Sequence, residues 1–443
     1  MLNMVLICLS STNEQFSFLI NKHPTSGMLI KELKRGYAFG MYPVKDAIIN
    51  GIFPVTKTQS YIIYFKDGVN EVSYKQTPAD QFDFMTSMKY NSPACVMNLY
   101  SEFLKNTINR EHEKDIPAHH SIYLNMIKID NTRTLTIMKY FDRLQFDIKN
   151  IVGSSYRMII KSEKNMLLRE FNSYIYMIAM IIASMNQDEF ELSDAVMENF
   201  CRLVERYNMP YYIRYLFCSR IITTLGNFQK LQPILEKSDT YNYSLNFGVT
   251  SDQRKRFLEK ILDFHEPIID LGCSTGVNSI YLASKSPERI IHAIDIDSDV
   301  LEKLRQIAKK RELNNIITYT SLNDFINQND PEKQYQFLLT EVIEHMSKEE
   351  ALILIDNAKR VNFSKLIITT PNFEFNQFYI MDGKFRHDDH KWEATPGEFR
   401  EIIMGIYPEN EYQLSFCEIG DAIQHGSSRY YATSGVIIKK MIK

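Results

Sequence analysis

The stretch Pro267-Ile-Ile-Asp-Leu-Gly-Cys-Ser-Thr-Gly276 decides the fold of the C-terminal half of the chain. It begins as a short apolar strand, passes through a turn with two glycines and enters a segment with helical spacing. Gly272 permits a tight turn, and Gly276 permits the backbone to approach a ligand closely. Asp295 follows about twenty residues later at the end of a second strand, where a carboxylate can accept both hydroxyls of an adenosine ribose. The arrangement predicts a nucleotide-type cofactor site.

Around this stretch, short apolar strands alternate with helical segments, which predicts βαβ units and a parallel sheet. The predicted strands are 267–272, 289–296, 316–320, 336–340 and 365–370, with helices at 300–311 and 347–360. Two further strands, near 412–416 and 435–439, have no helix between them. An antiparallel pair at the sheet edge is therefore expected, and the fold class is α/β with a Rossmann-like C-terminal sheet.

The N-terminal half has a different rhythm, which predicts an α+β region. Strands are expected at 35–42 and 61–65, a helix at 93–104 and helical structure from Ser173 to about Leu225. Polarity rises and the periodicity breaks near 237–244, so a domain boundary is predicted there. We therefore expect an N-terminal region over 1–240, of one or two subdomains, and a C-terminal domain over 241–443.

Composition excludes few classes of protein. The 443 residues suffice for two or three domains, and the net charge of −3 argues only weakly against a long nucleic-acid duplex as partner. Six scattered cysteines without a Cys-x-x-Cys pair indicate reduced thiols. The N-terminus lacks signal-peptide features, and the apolar run Tyr174–Ala183 is shorter than the roughly 18–20 residues of a membrane span. These features predict a cytoplasmic protein.

A second motif, Glu341-Val-Ile-Glu-His345, follows the fourth strand at the edge where open α/β sheets bind ligands. In a helix, positions i, i+3 and i+4 share one face, so Glu341, Glu344 and His345 would converge, with His390 as a fourth ligand from a later loop. Two oxygen and two nitrogen ligands suit a six-coordinate divalent ion. Mn²⁺ is the expected ion, with Mg²⁺ or Co²⁺ as alternatives. The alternative interpretation is a solvated helix start whose acids favour the positive end of the helix dipole.

The cofactor motif resembles that of the class I methyltransferases, which bind S-adenosylmethionine. The resemblance implies that cofactor, held by Asp270, Gly272, Gly276, Asp295 and Ser321. Ser274 departs from the family pattern, which usually has glycine there.

A metal beside a methyl donor suits a ribose substrate, because a ribose hydroxyl is a poor nucleophile at neutral pH. A cation chelated by the 2′- and 3′-hydroxyls lowers the pKa of the attacking hydroxyl and favours a free 3′ end. His345 or His387 would then accept the proton, with Glu341 as the third catalytic candidate.

Three motifs together resemble the HUA-enhancer (HEN) small-RNA 3′-terminal 2′-O-methyltransferases: Glu341–His345, Thr370–Asn376, and Arg386–Glu393 followed by Glu398-Phe399. The resemblance implies metal binding by the four ligands above. The candidate RNA-binding residues are Arg254, Asn372, Asn376 and Arg386. Gln253 and Arg254 have an alternative interpretation as a solvated helix face. Pro396 stands where the family usually has arginine. This change removes a cation that could contact RNA, so it bears on substrate preference more than on the chemistry.

The N-terminal half is similar to the bacterial branch of this family, through Phe18–Pro24, Ala38–Pro43 and Lys89–Pro93. The resemblance implies a role in RNA repair and binding to a polynucleotide kinase–phosphatase–ligase. Three alternatives stay open: an assembly module with decayed catalysis, suggested by Ser274 and Pro396; a methyltransferase for catechol-like molecules; and, in the N-terminal half, aromatic residues that stack bases beside Lys34 and Arg35.

Overall fold

The computed structural model describes residues 5–33, 36–67, 93–130, 132–186, 192–263, 265–379 and 383–441. Lys34, Arg35 and residues 89–92 lie outside these ranges, so the predictions that involve them have no structural counterpart here. The chain divides into two compact units, Met1–Tyr207 and Asn208–Lys443. Residue 240, the expected domain boundary, lies within the second unit.

The N-terminal unit is built on a seven-stranded antiparallel sheet with strand order β2-β3-β6-β1-β7-β9-β8. The described part of this unit also contains a separate two-stranded hairpin, β4–β5. The bounds are β1 Val5–Ser11, β2 Leu29–Leu33, β3 Gly36–Met41, β4 Ala47–Ile49, β5 Phe53–Val55, β6 Ser60–Asp67, β7 His120–Lys128, β8 Leu144–Val152 and β9 Ser155–Ser162.

The helices of this unit include one that is apolar on all sides. They are Phe16–Leu19, Pro93–Phe103, Lys105–Asn109, Leu168–Met185 and Asp194–Arg206, with a 3₁₀ segment at Thr132–Tyr140. Leu168–Met185 is buried around its whole circumference from Phe171 to Ser184, as expected for a helix inside a core. Among the described residues, no helix is both long enough and apolar enough to cross a membrane. The expected α+β character of the N-terminal half is confirmed.

The C-terminal unit contains an eight-stranded sheet with order β10-β16-β17-β15-β14-β11-β12-β13. Its strands are β10 Asn242–Ser244, β11 Ile268–Leu271, β12 Ile291–Ile294, β13 Ile316–Tyr319, β14 Tyr335–Thr340, β15 Phe363–Pro371, β16 Tyr412–His425 and β17 Ser428–Lys440. The five strands from β15 to β13 in this order are parallel, and β17, β16 and β10 are antiparallel. The predicted Rossmann-like sheet with an antiparallel end is confirmed.

Helices connect the parallel strands and cover the sheet. They are Tyr211–Leu216, Leu225–Glu236, Thr250–Ile261, Val277–Lys285, Ser298–Lys310, Leu322–Gln328, Lys348–Asn357 and Pro396–Ile406. The core of this unit is apolar and buried, and strand β14 is buried along its whole length. Because β11 and β14 are parallel neighbours, their carboxyl ends bring the loop at Gly272 beside the segment that starts at Glu341.

Candidate functional site

The loop after β11 requires glycine at both predicted positions. Gly272 and Gly276 have φ angles of 75° and 84°, in the left-handed region that favours glycine. A Cβ atom on Gly272 would lie 2.5 Å from Val342 Cγ2, and one on Gly276 would lie 2.3 Å from Leu304 Cδ1. The loop is therefore packed against its neighbours as tightly as glycine allows.

Asp295 holds this loop from the end of β12. Its Oδ2 accepts a hydrogen bond of 2.7 Å from the Ser274 backbone N–H, and its Oδ1 accepts one from the Asp297 N–H. Asp297, and not Asp295, is the N-cap of the following helix. Ser274 itself adopts a left-handed φ of 48°, which explains why glycine is usual there, while its side chain is exposed. The serine is thus accommodated without burial.

An apolar side chain beside Asp295 was not anticipated from the sequence. Ile296 is 92% exposed, which is unusual for isoleucine immediately after a buried strand. If Asp295 accepts the ribose hydroxyls as the sequence predicts, an exposed apolar group beside it suits contact with the flat face of an adenine. The sequence feature that could have indicated this role is the position of Ile296 directly after Asp295.

The other two predicted cofactor residues make structural contacts. Asp270 is 2% exposed and accepts a hydrogen bond from the Ser279 hydroxyl at 2.5 Å, and burial raises the pKa of its carboxyl to about 6. Ser321 caps the helix that follows β13 by accepting from the Asp324 N–H at 3.0 Å. Both side chains therefore brace elements around the loop.

The metal motif is not the regular helix that its spacing assumed. Glu341 has a left-handed φ of 55°, which is uncommon outside glycine, and a 3₁₀ turn spans Ile343–His345. Glu341 Oε1 accepts from the Thr369 hydroxyl at 2.9 Å, and Oε2 forms an ion pair of 3.0 Å with Arg254. Its carboxylate is therefore already engaged within the protein.

The other three predicted ligands form one cluster. Ligand atoms of Glu344, His345 and His390 all lie within 4.8 Å of one another, and the imidazole rings of the two histidines are 4.8 Å apart. Glu344 is 1% exposed, which excludes the alternative of a solvated helix start. Its Oε2 accepts from the Thr370 hydroxyl at 3.2 Å, whereas Oε1 is buried without a hydrogen-bond partner in the described structure.

Electrostatics make this carboxylate unusual. Burial, and then the neighbouring Glu341 carboxylate, raise the pKa of Glu344 well above its ordinary value. A buried carboxylate oxygen without a donor costs free energy unless a cation or proton neutralises it. One carboxylate and two imidazoles are a donor set that divalent transition ions accept. The residues present therefore fit a divalent metal ion.

A carboxylate that the sequence reasoning missed supports His390. Glu393 Oε1 lies 2.5 Å from His390 Nδ1, and both side chains are almost completely buried. This contact leaves Nε2 as the nitrogen for a ligand, as in the carboxylate–histidine pairs of metal sites. The i, i+3 spacing of His390 and Glu393 was the sequence feature that could have indicated this contact.

The two remaining histidine contacts lie at the exposed side of the cluster. His345 Nδ1 is 3.2 Å from Asp389 Oδ2, and 42% of the His345 side chain is exposed. His387 is exposed, with its ring 5.0 Å from that of His390. Both predicted proton acceptors are therefore near the cluster and open to solvent.

Three of the four predicted RNA-binding residues use their polar groups internally. Asn376 donates to Glu393 and accepts from Arg386, whose guanidinium also donates to the carbonyl oxygens of Ala432 and Asn372. The Asn372 amide donates to the Tyr431 carbonyl oxygen at 2.9 Å. These side chains hold the loop of His390 in place, and their contact with RNA stays a prediction.

Arg254, the fourth predicted RNA-binding residue, lies beside the cluster of Glu344, His345 and His390 through its ion pair with Glu341. Its side chain is 13% exposed, pairs with Glu341 and has a buried Nε without a partner in the described structure. The preceding Gln253 is 6% exposed and donates to Asp421 Oδ1 at 3.2 Å. The alternative of a solvated helix face is therefore wrong for both residues.

Pro396 has a local structural explanation. It occupies the first turn of helix Pro396–Ile406, where proline is favoured, directly after Thr395, which caps the helix by accepting from the Glu398 N–H. The proline therefore fits the helix start, although it supplies no cation there.

Comparisons with known proteins give a consistent result. A family model for the Hen1 N-terminal domain matches residues 6–240, more than half of the chain, and one for a methyltransferase domain matches residues 268–362. The small RNA 2′-O-methyltransferase of Xenopus tropicalis is 29% identical over 184 residues, covering 38% of this chain and 49% of that protein. The corresponding enzyme of Gallus gallus is 26% identical over 206 residues, covering 42% of this chain and 53% of that protein. The chain thus spans about half the length of these curated relatives.

Similar structures cover nearly the whole chain. A chain in the structure of the Pnkp1/Rnl/Hen1 RNA repair complex matches with a TM-score of 0.73 at 23% identity, covering 98% of this chain and 100% of that one. A second structure of the Pnkp1/Rnl/Hen1 complex gives a TM-score of 0.70 at 23% identity, with the same coverage. At this identity the likeness establishes the fold.

Proposed function

The chain belongs to the Hen1 family, and from this premise we propose that it transfers a methyl group from S-adenosylmethionine to the 2′-hydroxyl of the 3′-terminal nucleotide of RNA. The relatives named as small RNA 2′-O-methyltransferases support the RNA 2′-oxygen as the acceptor. The glycine loop with Asp295 supports the cofactor.

One observation carries the metal dependence. Glu344 Oε1 is buried without a hydrogen-bond partner in the described structure, and a carboxylate oxygen of the same side chain lies within 4.8 Å of a ring nitrogen of His345 and of His390. A divalent cation held there would supply the positive charge that lowers the pKa of a ribose hydroxyl and orients it. Mn²⁺ suits the mixed oxygen and nitrogen donors, with Mg²⁺ and Co²⁺ as the alternatives.

The protein's own residues would divide the remaining work. Thr370 orients Glu344, and Glu393 orients His390. Glu341 keeps Arg254 beside the site through their ion pair. His387, which is exposed next to the cluster, would accept the proton that leaves the 2′-hydroxyl as the methyl group moves from sulfur to oxygen, because His345, as a metal ligand with Nδ1 beside Asp389, would have no free nitrogen for it.

The activity is tested by methyl transfer from labelled S-adenosylmethionine to a short RNA, after chelation and after return of Mn²⁺. The proposal predicts activity that chelation abolishes and Mn²⁺ restores. Glu344→Gln and His390→Ala should lose activity while they still bind the cofactor in calorimetry. Full activity of both variants would contradict the proposed role of the cluster.

We propose further that residues 1–240 bind an RNA-repair kinase–phosphatase–ligase. Support comes from the match to the Hen1 N-terminal domain and from the fold shared with a chain of the Pnkp1/Rnl/Hen1 complex. The full chain should co-purify with the ligase partner and stimulate sealing even when Glu344→Gln removes methyl transfer. Stimulation with no methyl transfer by the unaltered chain would favour the assembly role alone.

A further inference from the structure

An open cavity of about 880 Å³ lies in the C-terminal unit and shares Asn376 with the surroundings of the site described above. Its volume falls in the range of ligand pockets, roughly 300–1,000 Å³. It is lined by aromatic, basic and amide side chains, among them Phe373, Asn376, Gln377, Lys384, Arg429 and Tyr430. The cavity therefore combines ring faces with positive charge.

A short path of hydrogen bonds connects the cavity to the cluster of Glu344, His345 and His390. The Asn376 amide, which lines the cavity, donates to Glu393 Oε2, and Glu393 Oε1 contacts His390 Nδ1 at 2.5 Å. One wall of the cavity is thus separated from a ligand of the cluster by a single carboxylate. This path is buried and is no channel, but it shows that the cavity and the cluster are close neighbours in the C-terminal unit.

The side chains in the cavity have the chemistry of a single-strand surface. Phe373 and Tyr430 are half-buried, so each keeps part of its ring available for stacking. Lys384 and Arg429 are exposed, and their cations lie over the rings of Phe385 and Tyr431 at 5.1 and 5.2 Å.

The charge of the lining is positive on balance. Glu374 is the acid in the lining, and it is exposed. Two cations against one acid favour a phosphodiester backbone, and the exposed parts of the two rings, which contact Phe385 and Phe378 on their other sides, favour unpaired bases. A base pair would hide its faces within the stack, so a duplex end fits this surface less well than a single strand.

We infer that this cavity binds the single-stranded RNA segment on the 5′ side of the terminal nucleotide. The base next to the terminal one stacks on Tyr430 and Phe373, and the phosphates on either side contact Lys384 and Arg429. This inference rests on the proposed function, because it takes the RNA 3′ end to lie at the cluster of Glu344, His345 and His390.

The first experiment measures the affinity of the full chain for a fluorescent single-stranded RNA with a free 3′ end. Tyr430→Ala should weaken binding roughly tenfold, within the range found for loss of one stacked base, whereas Tyr430→Phe keeps the ring and should bind normally. Arg429→Gln should reduce the slope of log affinity against log salt by about 0.7, the contribution of one phosphate contact. The matched control is Arg311→Gln, which removes an exposed cation from the C-terminal end of helix Ser298–Lys310 in the same unit.

The second experiment locates the RNA directly. An RNA with 4-thiouridine at the penultimate position is photo-crosslinked to the unaltered chain, and the modified peptide is identified by mass spectrometry. The inference predicts modification within residues 373–379, 383–384 or 428–431. Crosslinks confined to other segments, or Tyr430→Ala and Arg429→Gln variants that bind like the unaltered chain, would overturn it.

The design separates this inference from the proposed function. If the unaltered chain binds RNA and transfers methyl groups while the cavity variants match it, the cavity inference fails alone. If the unaltered chain neither binds nor methylates RNA, both fail. Tighter binding of a blunt duplex than of the single strand, with both sensitive to Tyr430→Ala, would also contradict the inference.

Discussion

Replacing Glu393 by glutamine isolates the support given to His390. The Glu393 carboxylate is buried and accepts from His390 Nδ1, the Asn376 amide and the Arg386 backbone N–H. Burial alone would raise the pKa of Glu393, but the hydrogen bonds from His390, Asn376 and Arg386 hold it below its ordinary value. The carboxylate is therefore ionised at neutral pH and favours a proton on Nδ1, which leaves Nε2 for a metal.

The expected magnitude follows from these contacts. Glu393→Gln keeps an oxygen for His390 but removes the charge, so Mn²⁺ affinity should fall about 10- to 100-fold, as for other groups that support metal-binding histidines. Glu393→Ala would leave three buried donors without their acceptor. At about 1–3 kcal/mol for each, the alanine variant should also unfold much more easily.

The assay is Mn²⁺ titration by calorimetry, together with the Mn²⁺ dependence of methyl transfer. Glu393→Gln should need more Mn²⁺ for half-maximal activity and recover most of its maximal rate when Mn²⁺ is saturating. Glu401→Gln is the control, because it makes the same change at an exposed position on helix Pro396–Ile406. Unchanged Mn²⁺ affinity in Glu393→Gln would refute the reasoning.

Three further predictions concern the cofactor loop and the cluster. Gly276→Ala, whose Cβ would meet Leu304, should lower the free energy of unfolding by about 1–3 kcal/mol, measured by urea denaturation with the fluorescence of the sole tryptophan, Trp392. Burial raises the pKa of Asp270 to about 6, so the folded state holds this proton more tightly than the unfolded state and stability is lost as pH rises from about 4 through about 6. Asp270→Asn should make that decline smaller by roughly 2–3 kcal/mol, and an unchanged pH profile would contradict this assignment. Glu341→Ala should abolish methyl transfer and leave cofactor affinity within about twofold, since Glu341 pairs with Arg254 and its charge acts on the Glu344 carboxyl; a large loss of cofactor binding in calorimetry would contradict this.

The sequence predicted the C-terminal sheet well because its strands are short, apolar and separated by helical segments. It underestimated β16 and β17, which extend to His425 and from Ser428, because their missed parts mix polar and apolar residues and a register shift between Ile419 and Ala422 interrupts the alternation, although Ala422 and Ile423 are buried. It missed β10, since three residues carry no periodicity.

In the site, the spacing of the Glu-x-x-Glu-His motif indicated Glu344 and His345, and the family resemblance supported His390; the fold brings these three residues together. The reason given for their convergence was wrong, because Glu341 takes a left-handed conformation that residue spacing does not reveal. The contact of Glu393 with His390 had only their i, i+3 spacing as a signal. The internal use of Arg386 was beyond prediction, because its guanidinium contacts Asn376, Asn372 and Ala432 in other segments, and local sequence does not encode such contacts.

The proposed reaction is tested most directly by matched RNAs that differ only in the last ribose: one with both hydroxyls, one 2′-deoxy, one 3′-deoxy and one with a 3′-phosphate. Each is incubated with labelled S-adenosylmethionine and Mn²⁺, and methyl incorporation is measured. The chelation argument predicts transfer only to the RNA with both terminal hydroxyls. Transfer that is indifferent to the 3′ end would contradict the assignment of the cluster of Glu344, His345 and His390 to the terminal ribose.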